Sequence, residues 1–372
     1  MNNDLEQKRS IKPFFERFRL LLHDRIGGKE TPLVLVQGGF GKNNTGDDTL
    51  LRVAKEQILE AVPQARVIAL CHKPELLKES YGIDGVRFQS FRTFKLLFSC
   101  DALILASGGL VNNIDFRSVW RSVFNLRGKF TFITAWLMIL RKKITVAFGV
   151  GVHEVPDPIV RFLMKRVLPR MSLVCVRDKY SVGIMESLGV KDIYFAHDPA
   201  IAFSAKEVPV ISFPPSPYYV FNFRETKDRE ESERVKKEFV HYFSCLHQQS
   251  PEITVLLLPF SIHPSFALEN DVLAMRDIYT NAVSQYGASN LLLCETYQTA
   301  ERVKELAKEA KWLILTRHHA PVLTYSCQIP TIVISYNFKC REFAELAEYE
   351  HIMDYQDVTA DRLLQITHGS DG

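Results

Sequence analysis

Short apolar runs return through the chain from residue 31 onward, each ending in glycine, a small polar residue or a charge and each followed by helical spacing. LVLVQGG at 33–39 leads through the turn GFGKNNTGDD into TLLRVAKEQILEAV, a strand, a turn and a helix in succession. The runs ARVIAL (65–70), DALIL (101–105), ITVAF (144–148) and LVCV (173–176) repeat the rhythm. Nearly unbroken apolar strands alternating with helices predict parallel sheets covered on both faces, because only strands buried on both sides lack the polar-apolar alternation of a solvated sheet.

The rhythm breaks at AKEVPVISFPPSP (205–217), where Pro209, Pro214, Pro215 and Pro217 disfavour helix and predict an extended linker. It then restarts with YYVFNFR (218–224), a charged helix through 228–248, ITVLLLPF, a helix near 271–286, NLLLCE, a helix at 299–310, and the strands WLILT and TIVIS. The expected organisation is a basic amphipathic segment at 1–30, a Rossmann-like domain at 31–204, the linker at 205–217 and a second Rossmann-like domain at 218–372. Ligands of such sheets bind at the carboxyl ends of the strands, so function is expected in a cleft between them.

Composition narrows the class further. With 47% apolar and 24% charged residues the chain is neither disordered nor collagen-like, and a net charge of +3 argues against a nucleic-acid partner. Seven cysteines are widely spaced with no C-x-x-C pair, the pattern of reduced, packed thiols. The N-terminus shows no secretory signal, so a cytoplasmic location is expected. The most apolar window, Phe130 to Leu140, is much shorter than the ~20 residues of a membrane span.

Candidate chemistry sits where strands end. Gly41, Asn44, Gly46 and Asp47 form the first strand-to-helix loop, with a helix-capping turn as the alternative reading. Its spacing matches neither a P-loop nor the dinucleotide fingerprint. Gly108 and Gly109 close a second such loop. Arg177 and Asp178 follow a short strand, as does Asp198, where a cap or turn role competes with a ligand role. Arg317, His318 and His319 follow WLILT directly and offer a guanidinium for an anion and an imidazole for proton transfer. Arg224 holds the corresponding strand end in YVFNFR, with a surface salt bridge as its alternative. No Cys/His/Asp set with metal-ligand spacing accompanies the two histidines, so no metal is expected.

Taken in order, GGFGKNNTGDDTLL, ASGGL, VAFGVGV, VCVRDKYSVGIMESLGV, HDPA, NFRE, LLLPFS and TRHHAPVLTYSCQIPTIVISYNFK resemble the polysaccharide pyruvyl transferase family over about residues 33 to 343. The resemblance implies two Rossmann-like domains arranged as in glycosyltransferases of the B type, phosphoenolpyruvate as co-substrate without a further cofactor, and a glycan acceptor. It implies Arg317 and Arg224 as holders of the donor anions, His319 as general acid, and a Tyr-x-x-Lys pair at Tyr336 and Lys339. The family's usual Arg-Leu-His is Arg317-His318-His319 here, so His318 replaces an apolar residue beside the donor; it changes the donor, tunes a pKa or turns aside. The glycine loops, with Arg177 and Asp178, would shape the acceptor side. A nucleotide-sugar glycosyltransferase and a non-catalytic glycan- or anion-binding relative are the rival readings. Two stretches mix aromatic and basic residues: 8–26 reads first as a surface helix packed on the first domain, with a basic helix against anionic lipid headgroups as the sharper alternative, and 116–143 predicts a peripheral contact with the inner face of the cell membrane that presents a lipid-linked acceptor, with core packing as its alternative.

Overall fold

The computed structural model describes residues 10–88, 90–109, 126–152, 157–204 and 213–369. The chain divides into two compact units, one of Met1–Gly41 with Asp47–Phe203, the other of Lys42–Gly46 with Ser204–Gly372. The first unit contains, in order, α1 (Lys12–Ile26), β1 (Leu33–Gln37), α2 (Thr45–Ala61, whose first two residues belong to the second unit), β2 (Arg66–Cys71), α3 (Pro74–Tyr81), β3 (Gly85–Arg87), α4 (Phe91–Ser99) and β4 (Ala102–Leu105). It continues with α5 (Leu126–Leu140), β5 (Ile144–Val150), α6 (Pro158–Val167), β6 (Leu173–Val176), α7 (Lys179–Ser187) and β7 (Ile193–Phe195). Its sheet is parallel in the order β3-β2-β1-β4-β5-β6-β7.

The second unit contains β8 (Tyr218–Asn222), α8 (Arg229–Gln249), β9 (Thr254–Leu257), α9 (Asp271–Tyr286), β10 (Leu291–Leu293), α10 (Ala300–Lys308) and β11 (Trp312–Leu315). Then come α11 (His319–Thr324), β12 (Thr331–Ser335), α12 (Phe338–Leu346), β13 (His351–Asp354) and α13 (Ala360–Gly369). This sheet is also parallel, in the order β10-β9-β8-β11-β12-β13. In each unit the order reverses beside the first strand, between β1 and β4 and between β8 and β11, and that reversal opens a crevice at the strands' carboxyl ends.

The central strands β4, β5, β8, β11 and β12 are buried along their whole length, which is what their unbroken apolar runs require. The short edge strands β3, β7 and β13 carry no such run and have no counterpart in the sequence reading. In the second unit Phe221 meets Phe239 and Phe243 edge-on at 4.7 and 5.0 Å, locking α8 to the sheet. Cys71, Cys100, Cys175 and Cys340 are buried and every cysteine is a free thiol; burial pushes Cys71 and Cys100 up to about 12.

The two aromatic and basic stretches can be compared with the core. Helix α1 follows the packing reading and turns its apolar face to the first unit. Phe14, Phe15, Phe18 and Leu22 are buried, and the three phenylalanines pack on Phe148 of β5, leaving Leu20 as its exposed large apolar side chain. Each fully buried phenylalanine contributes about 2–3 kcal/mol, far more than a marginal interfacial contact would return. The segment 12–26 is therefore part of the first unit's core rather than a separate membrane arm. Within 116–143, residues 116–125 lie outside the described residues, and Phe130, Phe132 and Met138 pack into the core on the other face of the sheet, with Leu103, Leu105 and Ala147. Of the linker 205–217, residues 205–212 are outside the described set. No described helix is long and apolar enough to cross a membrane.

Candidate active site

Three strands of the second sheet deliver the charged residues. Arg224 lies two residues beyond β8, Arg317 to His319 follow β11, and Tyr336 to Lys339 follow β12, so neighbouring strand ends gather them at one edge of the unit. Asn337 caps α12 by accepting from the Cys340 amide at 3.0 Å, which fixes Tyr336 and Lys339 on either side of the turn.

Arg224 is held by an aromatic neighbour. Its Nη1 donates to the Tyr336 hydroxyl at 2.9 Å, and its guanidinium lies 4.8 Å from the Tyr336 ring centre. Its Nε is buried with no hydrogen-bond partner among the described residues, a state that costs free energy unless something completes it. Burial opposes the charge on Arg224, but Tyr336, Glu269 and Asp271 more than restore it, so its pKa stands above the ordinary value. Burial also pushes the Tyr336 phenol up, against the pull of Arg224, and keeps it a neutral hydroxyl. Lys339, nine-tenths buried, adds a second cation on the β12 side.

Arg317 is held by a carboxylate. Its Nε and Nη2 both converge on Asp271 Oδ1, at 2.8 and 2.7 Å, and the side chain is only 8% exposed. The pair anchors the end of β11 to the start of α9, while Nη2, like Arg224 Nε, is buried without a hydrogen-bond partner of good geometry among the described residues. Asp271, which the sequence reading missed, is the hub of this arrangement. Its Oδ2 accepts from the Asn222 side chain at 3.1 Å and from the Phe260 and Ser261 amides at 2.9 and 3.1 Å, while Asn222 Oδ1 accepts from the Arg317 amide. Strand ends β8, β9 and β11 are thus tied to one carboxylate. In sequence Asp271 looks like any acidic residue in the first turn of a helix.

The segment Lys42–Gly46 sits in the second unit, where Asn44 and Gly46 were expected to shape the first domain. Thr45 N donates to Phe260 O at 2.9 Å, Ile262 N donates to Asn43 O at 2.9 Å, and Asn44 bridges to Ser261. Gly46 packs directly on the His319 ring, so that a Cβ there would lie 2.1 Å from His319 Cγ. Only glycine allows this approach, and the backbone of residue 46 sets where the imidazole stands. His318 meets the Phe343 ring edge-on at 6.0 Å and His319 at 5.1 Å. His318 therefore stands between Phe343 of α12 and the His319 imidazole.

In the first unit the expected acceptor residues are mostly structural. Gly41 has φ +71°, donates to Asp48 Oδ1 at 3.1 Å and has the Lys73 carbonyl 2.7 Å from where a Cβ would stand. Asp47 lies against Gly39. Asp178 caps α7, accepting from the Ser181 amide at 2.7 Å, and Asp198 accepts from the Ala200 amide at 3.0 Å, so the capping readings hold for both. Arg177 pairs with Asp198 and donates to Gly108 O at 2.6 Å, bracing the loop that contains Gly108 and Gly109 after β4. That ion pair is buried, with side chains 6% and 1% exposed.

Two parallel sheets with this strand order define two Rossmann-like units of the glycosyltransferase-B class, and solved structures agree. S. aureus MnaA with UDP aligns with a TM-score of 0.58 at 10% identity, covering 90% of this chain and 88% of that one. UDP-GlcNAc 2-epimerase from Neisseria meningitidis bound to UDP-GlcNAc gives 0.55 at 12% identity, covering 91% and 92%. The enzyme of the same name from Methanocaldococcus jannaschii gives 0.54 at 10% identity, with 91% and 92% covered. At such identities the likeness establishes the fold alone. The model of the polysaccharide pyruvyl transferase family matches residues 44–337, and the chain belongs to that family. No curated protein matches it.

Proposed function

We propose that the protein transfers the pyruvyl group of phosphoenolpyruvate to two hydroxyls of a glycan, forming a cyclic ketal and releasing phosphate. The observation that carries the donor assignment is Arg224, a buried guanidinium with an uncompleted Nε beside a neutral Tyr336 hydroxyl. With Lys339 it supplies the two positive groups that a carboxylate and a phosphate on one small molecule demand.

His319, positioned by Gly46, serves as general acid. It protonates the methylene carbon of the enol, which becomes the methyl group, and leaves the adjacent carbon electrophilic. One glycan hydroxyl adds there, phosphate departs with its bridging oxygen, and a second hydroxyl closes the ketal. Of the two hydroxyl protons lost, one restores the imidazole and the other leaves with phosphate. The equation balances without an oxidant or a further co-reactant. Arg317 and Asp271 act by holding strand ends in register rather than by touching the donor. Gly108 and Gly109, at the reversal of the first sheet, offer backbone that a sugar ring can approach closely.

Incubation with phosphoenolpyruvate and defined glycans should release phosphate in step with the addition of a pyruvyl mass to the glycan. Nucleotide sugars in place of phosphoenolpyruvate should give neither. Glycosyl transfer from a nucleotide sugar, or tight glycan binding with no turnover, would replace this reading with one of its two rivals.

A further inference from the structure

Helices α4, α5 and α6 cover one face of the first sheet, and their sequences contain seven basic residues and no Asp or Glu. The chain as a whole carries nearly equal numbers, 46 basic and 43 acidic. The same helices hold seven of the sixteen large apolar side chains exposed among the described residues. Burial usually removes such side chains from water, and a concentration of them on one side of a unit marks a surface that meets something else.

The arrangement is regular. On α4, Phe91, Phe94 and Phe98 follow one another at helical spacing and are 76%, 47% and 56% exposed, while Thr93 and Leu97 turn inward. Phe94 meets Phe130 of α5 edge-on at 6.0 Å, and Trp136 of α5 meets Phe162 of α6 at 6.5 Å, so the three helices form one continuous surface. Ile133 and Leu140 on α5, with Ile159 on α6, extend it. Cations are interleaved with the rings: Lys95 lies 4.9 Å from the Phe91 ring centre, Arg141 5.2 Å from Phe98, and Arg166 5.2 Å from Phe162. Asp157, the acid nearest α6 in sequence, is buried and paired with Lys129.

We propose that this face docks on an anionic lipid bilayer. Exposed aromatic rings suit the headgroup region, and long basic side chains suit lipid phosphates while their stems cover apolar surface. A protein partner of ordinary composition would leave the exposed cations Arg92, Lys95, Arg161, Lys165 and Arg166 unmatched, whereas a negatively charged membrane matches them. Of the stretch 116–143, α5 and Arg141 belong to this surface, and the core-packed phenylalanines there are not the ones that face outward. The inference is independent of pyruvyl transfer, because its test contains neither donor nor acceptor.

The full chain is floated with vesicles of phosphatidylcholine alone or with about 30% phosphatidylglycerol. Binding to the anionic vesicles should be at least about tenfold greater, and raising the salt to about 0.5 M should remove most of it. The triple variant F91S/F98S/F162S and the charge variant R92E/K95E/K165E should each lose binding by about tenfold or more, with melting temperatures close to the parent. All six positions are exposed, so folding should survive. Equal binding to both vesicle types, no binding to either, or full binding by both variants would overturn the proposal. So would a dimer in sedimentation that F91S/F98S/F162S dissolves in a protein that ignores vesicles, since the face would then belong to a second copy of the chain.

Discussion

In the first sheet the strands flanking the reversal, β1 and β4, run out into Gly38-Gly39 and Ser107-Gly108-Gly109, whereas in the second β8 and β11 run out toward Arg224 and into Arg317-His318-His319. The two sheets share the order of their first six strands, so the difference lies in what the backbone carries at equivalent points. In the first, glycines leave room for neighbouring protein atoms, Gly38 for Phe40 and Gly39 for Asp47. In the second, arginine, histidine and lysine side chains gather at the strand ends. The scaffold places a site, and the side chains at the strand ends choose its chemistry.

That contrast is most exposed at His319. Replacing it with Gln should lower turnover by about 10²–10⁴-fold while leaving donor binding, followed by calorimetry, nearly intact. A variant that turns over normally would remove the second sheet's proton donor from the comparison. Gly46→Ala should cost about 10²-fold in kcat, because the added methyl needs the space His319 occupies. A crystal structure of that variant should show the imidazole displaced.

Next come two buried arginine–aspartate pairs, one in each unit, which should serve the same purpose. Asp271→Ala in the second unit and Arg177→Ala in the first should each destabilise folding by about 3–5 kcal/mol in urea titration, since each leaves a buried charge unpaired. Arg224→Gln should behave oppositely, with little change in stability and a rise in KM for phosphoenolpyruvate of about tenfold or more. If Arg224→Gln unfolded the protein while Asp271→Ala only raised KM, the roles assigned to the two arginines of the second sheet would have to be exchanged. The smallest effect belongs to Asp178→Ala, about 1 kcal/mol from the lost cap on α7, with donor KM unchanged.

The strand ends were legible because apolar runs stop abruptly and chemistry begins at the next residue. Arg224, the Arg317-His318-His319 run and the glycine loops could all be located this way. Edge strands β3, β7 and β13 were not, since three or four partly exposed residues leave no periodic signal. Nor could the sequence separate Arg224 from Arg317. Both follow strands, but one guanidinium meets a phenol and the other a buried carboxylate, 46 residues away along the chain. The aromatic and basic stretches around 8–26 and 116–143 likewise gave composition without direction: Phe14 and Phe132 turn inward, whereas Phe91 and Phe98, from a helix given no role in the sequence reading, face out.

The alternation of apolar runs and helical spacing by itself determined two parallel sheets and the neighbourhood of their active edges, because burial on both faces and the strand-end rule act locally along the chain. Which arginine meets a phenol and which a carboxylate, and that Gly46 supports His319, followed only from tertiary packing. Partners 273 residues apart in sequence reach van der Waals distance only when strand order brings them together, and no local propensity encodes that order.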